Sequence, residues 1–554
     1  MTAPVPGVAP GRAHRALSAV AAASLLVGLG TVWVDATAAR PGFGLIVTLC
    51  FVAVLSLVIA ALCCRGRRAL MRVDVAVLVI ASLIELAHLH RFVVRGFAYS
   101  ADEGVLTTHA INAVRHGINP YGLAWPHAVA LFPTQLMGGG IVDRFDYPAL
   151  SIVLGAAAGL VWHGLATPAV IDGVALIATG GIMFVAFPPR LRPLAVLVIF
   201  AISFDATRAA SGDPAVVALP FLAVALWHWP TVGAGGRLGR SGATRAVGLG
   251  LAAATQQLAW FIVPFIVVGM WRVRRGELST RESIIVIGRY LGISAATFAL
   301  VNAPFAVANP LDWWRGVTAV LTQHALIWGP GLAMISDNIL PGSGALGFYS
   351  YATGLLYVAF LVMFAVGIRR FGTVAAVLPM VVFLLSIRSE DTYYVVFAPV
   401  WIITAATVSR ADFATARPLS LPTWLEGRRM IRGATVALFA PTIACLTVAL
   451  ATPRPLHMHV LSTIRSGHRL VSEITVEVHN ISGHLIEPHF VLATYGRTGR
   501  YWRIASGPSE LVAGQDATLE LLPPSSHHAK PGASIRLIAV SDHPETISTV
   551  NVPD

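Results

Sequence analysis

A chain of 554 residues with 56% hydrophobic residues, 12% charged residues and a mean hydropathy of +0.72 is not a water-soluble globular protein; the composition is that of a polytopic membrane protein. The net charge of +12 is almost wholly arginine, with Lys530 the single lysine, and in such a chain basic residues report orientation across a bilayer rather than a nucleic-acid partner. The four cysteines, Cys50, Cys63, Cys64 and Cys445, fall in or at the edges of apolar stretches, so they read as small buried residues and offer neither a disulfide framework nor a spaced metal motif.

Arg12 and Arg15 precede the first apolar stretch, and although Ala36-Thr37-Ala38 resembles a signal-peptidase site, a retained first span is expected. Between Leu17 and Leu450, roughly 13 stretches are apolar and about long enough to cross a ~30 Å hydrocarbon core. They lie near 17–36, 43–63, 74–94, 148–165, 168–187, 193–209, 214–229, 246–270, 285–306, 347–367, 372–388, 393–408 and 432–451. An all-α polytopic membrane domain over 1–452, with a polar loop at 95–147, is therefore predicted. With the N-terminus inside, the arginine clusters at Arg65 to Arg68, Arg272 to Arg275, Arg369-Arg370 and Arg428 to Arg432 are cytoplasmic. The Asp102 loop, the Trp313-Trp314 loop and the C-terminal segment then face outward, at the plasma membrane. Arg237, Arg240 and Arg245 fall on the wrong side, which points to a broken or re-entrant segment between 168 and 270.

After Pro453 and Pro455 the pattern changes to short alternating segments, of which Leu470 to Val478 is the clearest. Residues 453–554 are expected to form a small extracytoplasmic all-β sandwich with Phe490, Leu492, Trp502, Ile504, Leu519, Leu521, Ile535 and Leu537 in its core. His457 and His459 share one strand face, and with His527-His528 they read as solvated strand and loop rather than as a metal site.

The polar loop carries the chemistry. Ser100 followed by Glu103 reads as a capping box opening an amphipathic helix that Gly117 ends, with Arg115 and His116 on its polar side, within reach of a lipid phosphate. Capping accounts for Glu103 but not for the neighbouring Asp102. Asn119-Pro120-Tyr121-Gly122 reads as a turn, and Tyr147-Pro148 as the start of the fourth span.

As a set, Asp102-Glu103, Gly117 to Tyr121 and Phe145 to Leu150 resemble the outer-loop pattern of C-fold (GT-C) integral membrane glycosyltransferases, closest to the actinobacterial branch that takes mannose or arabinose from a polyprenyl phosphate. Ala149 stands where that family repeats proline. Ser211 to Pro214, Gln256-Gln257 and Asn302 to Phe305 resemble its later segments, so that the likeness extends over about 95–400. The resemblance implies a membrane transferase moving mannose, or next arabinose, from a polyprenyl-phosphate donor to an envelope glycolipid or polysaccharide, with Asp102 as general base. Glu103 would orient the acceptor or bind a divalent ion; the sequence demands no cofactor and no metal. Candidate phosphate partners are Arg115, His116, Arg144, Arg208, His324 and Arg388, with Glu390 and Asp391 neutralising Arg388. Asn119, Tyr121, Tyr147, Gln256 and Gln257 belong to the substrate loops in this reading, while interhelical bonding serves equally for the glutamines and the aromatic belt for Trp313, Trp314 and Trp328. The competing classes are a lipid or sugar transporter or flippase and a non-catalytic envelope-assembly protein.

Overall fold

A computed structural model describes residues 11–39, 41–95, 99, 101–130, 133–202, 212–420, 428–466, 470–494, 497–524 and 535–553. The helical part begins with α1 (Arg12–Ala39), α2 (Pro41–Cys63) and α3 (Arg67–Arg95), packed on one another through Leu25, Val54, Val77 and Ala81. Outside that packing, α2 leaves Leu45, Leu49, Val52 and Ile59 exposed, an apolar surface that lipid matches and water does not. There follow α4 (Asp102–Arg115), α5 (Leu150–Val161), α6 (Pro168–Ala186), α7 (Pro214–Leu226), α8 (Gly239–Ala253) and α9 (Leu258–Arg274). Next come α10 (Thr280–Ala308), α11 (Pro310–Thr322), α12 (Phe348–Val366), α13 (Ala398–Thr407) and α14 (Arg428–Ala451).

Among the described residues six helices are long and apolar enough to cross a membrane, or seven if the pair Ile368–Val374 and Leu378–Leu385, bent by 73°, counts as one. The chain is thus a multi-pass membrane protein, but with about half the 13 spans expected. The reason is that apolarity serves two ends. The stretch at 214–229 gives the 13-residue α7, whose side chains are nearly all buried against α6, α8 and α13, so its hydrophobicity reports protein core rather than lipid. Likewise 148–165 yields only the 12-residue α5, and 246–270 breaks at Ala254–Gln257 between α8 and α9. The stretch at 193–209 runs into a π-helix at Leu197–Ile202, and 393–408 is interrupted before α13. Helix α3, at 29 residues, is long enough and buries Asp74 and Glu85. Between 168 and 270, α6 is the one helix of spanning length among the described residues.

The C-terminal strands are β2 (Leu456–Ser466), β3 (Leu470–Asn480), β4 (His489–Thr494), β5 (Arg497–Ser506), β6 (Asp516–Leu522), β7 (Ile535–Asp542) and β8 (Glu545–Val552). Rather than the two separate sheets of a sandwich they form one continuous antiparallel sheet, joined by the two-residue β1 (Gly342–Ser343) of the helical part, in the order β1-β8-β7-β4-β5-β6-β3-β2. The sheet curls because β5 pairs with β4 through Trp502 and then with β6 through Ile504, and both halves close on one core. That core contains Phe490, Leu492, Trp502, Leu519, Leu521, Ile535 and Leu537, with Ile504 packed at its edge, the residues the sequence pattern picks out.

The sheet is seated on the helical part. Gly342 and Ser343 pair with Ser548 and Ile547, and Val491, Ile538, Val540 and Ile547 share a hydrophobic cluster with Met137, Tyr349 and Ala449. The Tyr501 hydroxyl donates to the Leu136 carbonyl at 2.7 Å, Gln135 Nε2 to the Gly499 carbonyl at 2.5 Å, and Arg536 pairs with Asp337 at 3.4 Å.

Candidate active site

A cavity of about 780 Å³ lies between the first turn of α4, the segments before α5 and α12, the segment 386–393 and the β7–β8 turn. Helix α4 starts at Asp102 with Ala101 as its extended N-cap and no side-chain cap bond from it; Ser100, expected to open a capping box with Glu103, lies outside the described residues. Asp102 turns into the cavity, 7% exposed, and its Oδ1 accepts the Glu103 N–H at 3.1 Å. Gly117, at φ 73°, follows the helix as expected.

Asp102 belongs to a polar chain drawn from distant segments. Arg388 Nη2 donates to the Thr134 hydroxyl at 3.2 Å, and that hydroxyl hydrogen-bonds the Asp102 carboxylate. The guanidinium also clasps Glu390 Oε1, from Nη2 at 2.5 Å and Nε at 2.8 Å. Burial pushes the Asp102 carboxyl up, an effect that Thr134 and Arg388 oppose and Glu390 reinforces. Burial on its own would lower Arg388, but Glu390 chiefly, with Tyr393, Asp102 and Glu103, outweighs it and fixes the charge.

Asp146 stands beside this chain, 5% exposed. Burial first, and then the Asp102 charge, hold its carboxyl up to about 7, partly offset by a bond from the Gln323 side chain. Two carboxyls thus share one site, both pushed up by burial and both eased by Arg388, with the Thr134 side chain supporting Asp102 and that of Gln323 supporting Asp146. Asp213 also lines the cavity, its Oδ1 capping α7 by accepting the Ala215 N–H at 2.9 Å. Apolar walls come from Leu106, Val142, Leu258, Phe261 and Phe383.

Of the residues singled out in the sequence, Asp102, Glu103, Tyr147, Gln256, Gln257, His324 and Arg388 all line this cavity. Gln257 reaches behind it as well, Nε2 donating to the carbonyls of Asp146 at 2.6 Å and Val317 at 2.9 Å. Asn119 and Tyr121 do not reach the cavity; they build its support. The Tyr121 hydroxyl donates to the Tyr147 carbonyl at 2.7 Å, its ring meets Phe145 and Phe305 edge-on, and Asn119 Nδ2 donates to the Phe305 carbonyl at 3.2 Å. Asn302 ties the same group together, its Oδ1 accepting from Ala149 N at 3.1 Å and from Trp313 Nε1 at 3.2 Å. Helix α5 therefore begins at Leu150, two residues after the Pro148 expected to open it.

Arg115, His116 and Arg144 stand elsewhere. Arg115 hydrogen-bonds His163, His116 Nδ1 bonds the Asn112 carbonyl at 2.8 Å, and Arg144 is largely exposed, 3.7 Å from Asp143. Arg208, with Ser211 and His527-His528, lies outside the described residues. Among the described residues no group of three or more His, Cys, Asp or Glu side chains is placed to hold a metal ion. The sequence reading missed Thr134 and Asp146, and it missed Asp542, His543 and Glu545, which the sheet contributes to the same cavity. Asp146 had a signal, a carboxyl directly before Tyr147-Pro148; Thr134 had none.

No family model matches the chain, and no curated protein matches it. Among solved structures it is similar to the archaeal oligosaccharyltransferase AglB from Archaeoglobus fulgidus, in complex with an inhibitory peptide and a dolichol-phosphate, at 13% identity and a TM-score of 0.29. The likeness covers 69% of this chain and 56% of that one, so the chain matches little more than half of the archaeal protein's length, too slight a likeness to carry function across.

Proposed function

We propose that the chain is a membrane glycosyltransferase of the C-fold class that moves a sugar, mannose first and arabinose next, from a polyprenyl phosphate to a glycolipid or polysaccharide of the cell envelope. The observation that carries the reading is the buried Asp102, held by Thr134 and Arg388 in a cavity that also offers apolar walls. In this reading residues 1–452 are the membrane domain and 453–554 an extracytoplasmic one. The N-terminus is cytoplasmic, and the cavity opens to the outer face of the plasma membrane.

The Asp102 carboxylate takes the acceptor hydroxyl's proton as that oxygen bonds to the anomeric carbon. The bond from that carbon to the phosphate oxygen breaks with inversion, and polyprenyl phosphate leaves with the electron pair. Arg388 faces the charge that gathers on the leaving phosphate, a role its fixed protonation suits. Glu103 orients the acceptor or binds a divalent ion, and the step as written requires no cofactor.

The buried acidic residues Asp74, Glu85 and Asp172 on α3 and α6 favour a second reading, a lipid or sugar transporter. One assay separates the two. Full-length protein in lipid, given polyprenyl-phosphate-mannose or polyprenyl-phosphate-arabinose and a short glycan, is expected to form a new glycosidic bond of inverted configuration and release polyprenyl phosphate. Movement of the donor between leaflets with no new bond would establish the transporter instead.

A further inference from the structure

We infer that the β7–β8 turn, Asp542-His543-Pro544-Glu545, together with His324, forms a subsite for an uncharged, polyhydroxylated acceptor glycan, an inference that rests on the transfer reading above. Three observations lead there.

The first is charge. Among the described residues lining the cavity, seven carry carboxyl groups and Arg388 is the single arginine, so an anionic acceptor is repelled while one phosphate can be met at Arg388. The second is shape and hydrogen-bonding capacity. The rings of His324 and His543 stack at 6.0 Å and 11°, which fixes the orientation of the largely exposed His543 ring, an aromatic face of the kind that receives the C–H face of a sugar. Glu545 Oε1 holds His324 Nδ1 at 2.8 Å and Asp542 Oδ1 holds His543 Nδ1 at 3.1 Å, which leaves the Nε2 edges of both rings for hydroxyl groups.

The third is that the turn is built into place. The turn's carboxylates pack on bare backbone: a Cβ on Gly347 would stand 2.7 Å from Glu545 Oε2, and one on Gly138 2.6 Å from Asp542 Oδ2. Leu346 N donates to the Glu545 carbonyl at 3.0 Å beside them. A turn held this closely is preorganised, which is what a specificity site needs.

The test uses full-length protein in lipid nanodiscs, with mannohexaose and arabinohexaose as acceptor probes and the matching polyprenyl-phosphate sugar as donor. His543→Ala is the main variant, because that side chain is 82% exposed and its loss disturbs no core; Glu545→Gln is the second. Losing one or two hydrogen bonds and the stacked ring is expected to raise the acceptor KM by about tenfold or more while the donor KM and Tm stay at wild-type values. An acceptor KM within about twofold of wild type in both variants would overturn the subsite and leave the transfer reading standing. If the wild type transfers to neither probe, saturation-transfer NMR of probe binding decides. Binding that His543→Ala weakens upholds the subsite and removes the transfer reading, whereas absent binding removes the subsite.

Discussion

At the residue scale the account turns on how unequally two neighbouring carboxyls are supported. Burial raises both; Asp102 is eased by Thr134 and Arg388, whereas Asp146 feels the repulsion of Asp102 next after burial and is eased by Gln323 and, less, by Arg388. A carboxyl raised from 3.8 to about 7 in the folded chain binds its proton more tightly folded than unfolded, so its contribution to stability is fully present below about pH 4 and is lost as pH rises through about 7. Transfer should follow the same titration, because ionised Asp146 sets a second negative charge where the donor phosphate must arrive. We predict that activity falls above about pH 7 and that Asp146→Asn removes this alkaline limb, read from kcat/KM against pH. Thr134→Val takes the bridging hydroxyl away and is expected to lower kcat by about 10- to 100-fold with donor binding intact, as loss of one bond to a charged group implies. Asp102 was legible because an acidic pair in a polar loop of an apolar chain is costly to explain by capping alone. Thr134 was not, since a lone threonine has no pattern, and its partners Asp102 and Arg388 are 32 and 254 positions away.

At the element scale, the motifs that drew attention as substrate loops divide into wall and support. Tyr147 lines the cavity, whereas Asn119 and Tyr121 brace the segment before α5 from behind, and Asn302 on α10 fastens that segment to α11. Asn302→Ala would orphan the Ala149 N–H and the Trp313 indole N–H. A loss of roughly 2–4 kcal/mol is expected, seen as a lower Tm, and Asn302→Asp, which keeps the acceptor oxygen, should recover most of it. Strand alternation served well in the sheet, where Ile474, Val476 and Val478 point inward; it slips at Val471, across an irregularity in the pairing of β2 with β3. Span counting served less well, because a run of apolar residues does not say whether lipid or other helices surround it. The fully packed α7 is where that ambiguity costs most.

At the scale of the whole molecule, the sheet is part of the cavity and not an appendage to it. Its contact with the helical part runs through β1, the shared cluster around Tyr349 and Ile547, and the Arg536–Asp337 pair. Burial holds the Asp337 carboxyl up while Arg536 pulls it down, so Arg536→Ala leaves a buried acid without its cation. That variant is expected to expose the 452–456 connection to protease several-fold faster and to weaken transfer through the acceptor KM. Nothing in the sequence placed the sheet here, since pairing between a two-residue strand and a partner about 200 positions away has no local signature.

The central claim is that Asp102 removes the acceptor proton, and the most direct measurement is single-turnover sugar transfer by Asp102→Asn in lipid beside the wild type, with donor binding followed in parallel. The account predicts a transfer rate lower by on the order of 10²–10⁴-fold with donor binding retained, and partial recovery in Asp102→Glu. An Asp102→Asn protein that transfers sugar at the wild-type rate would contradict it.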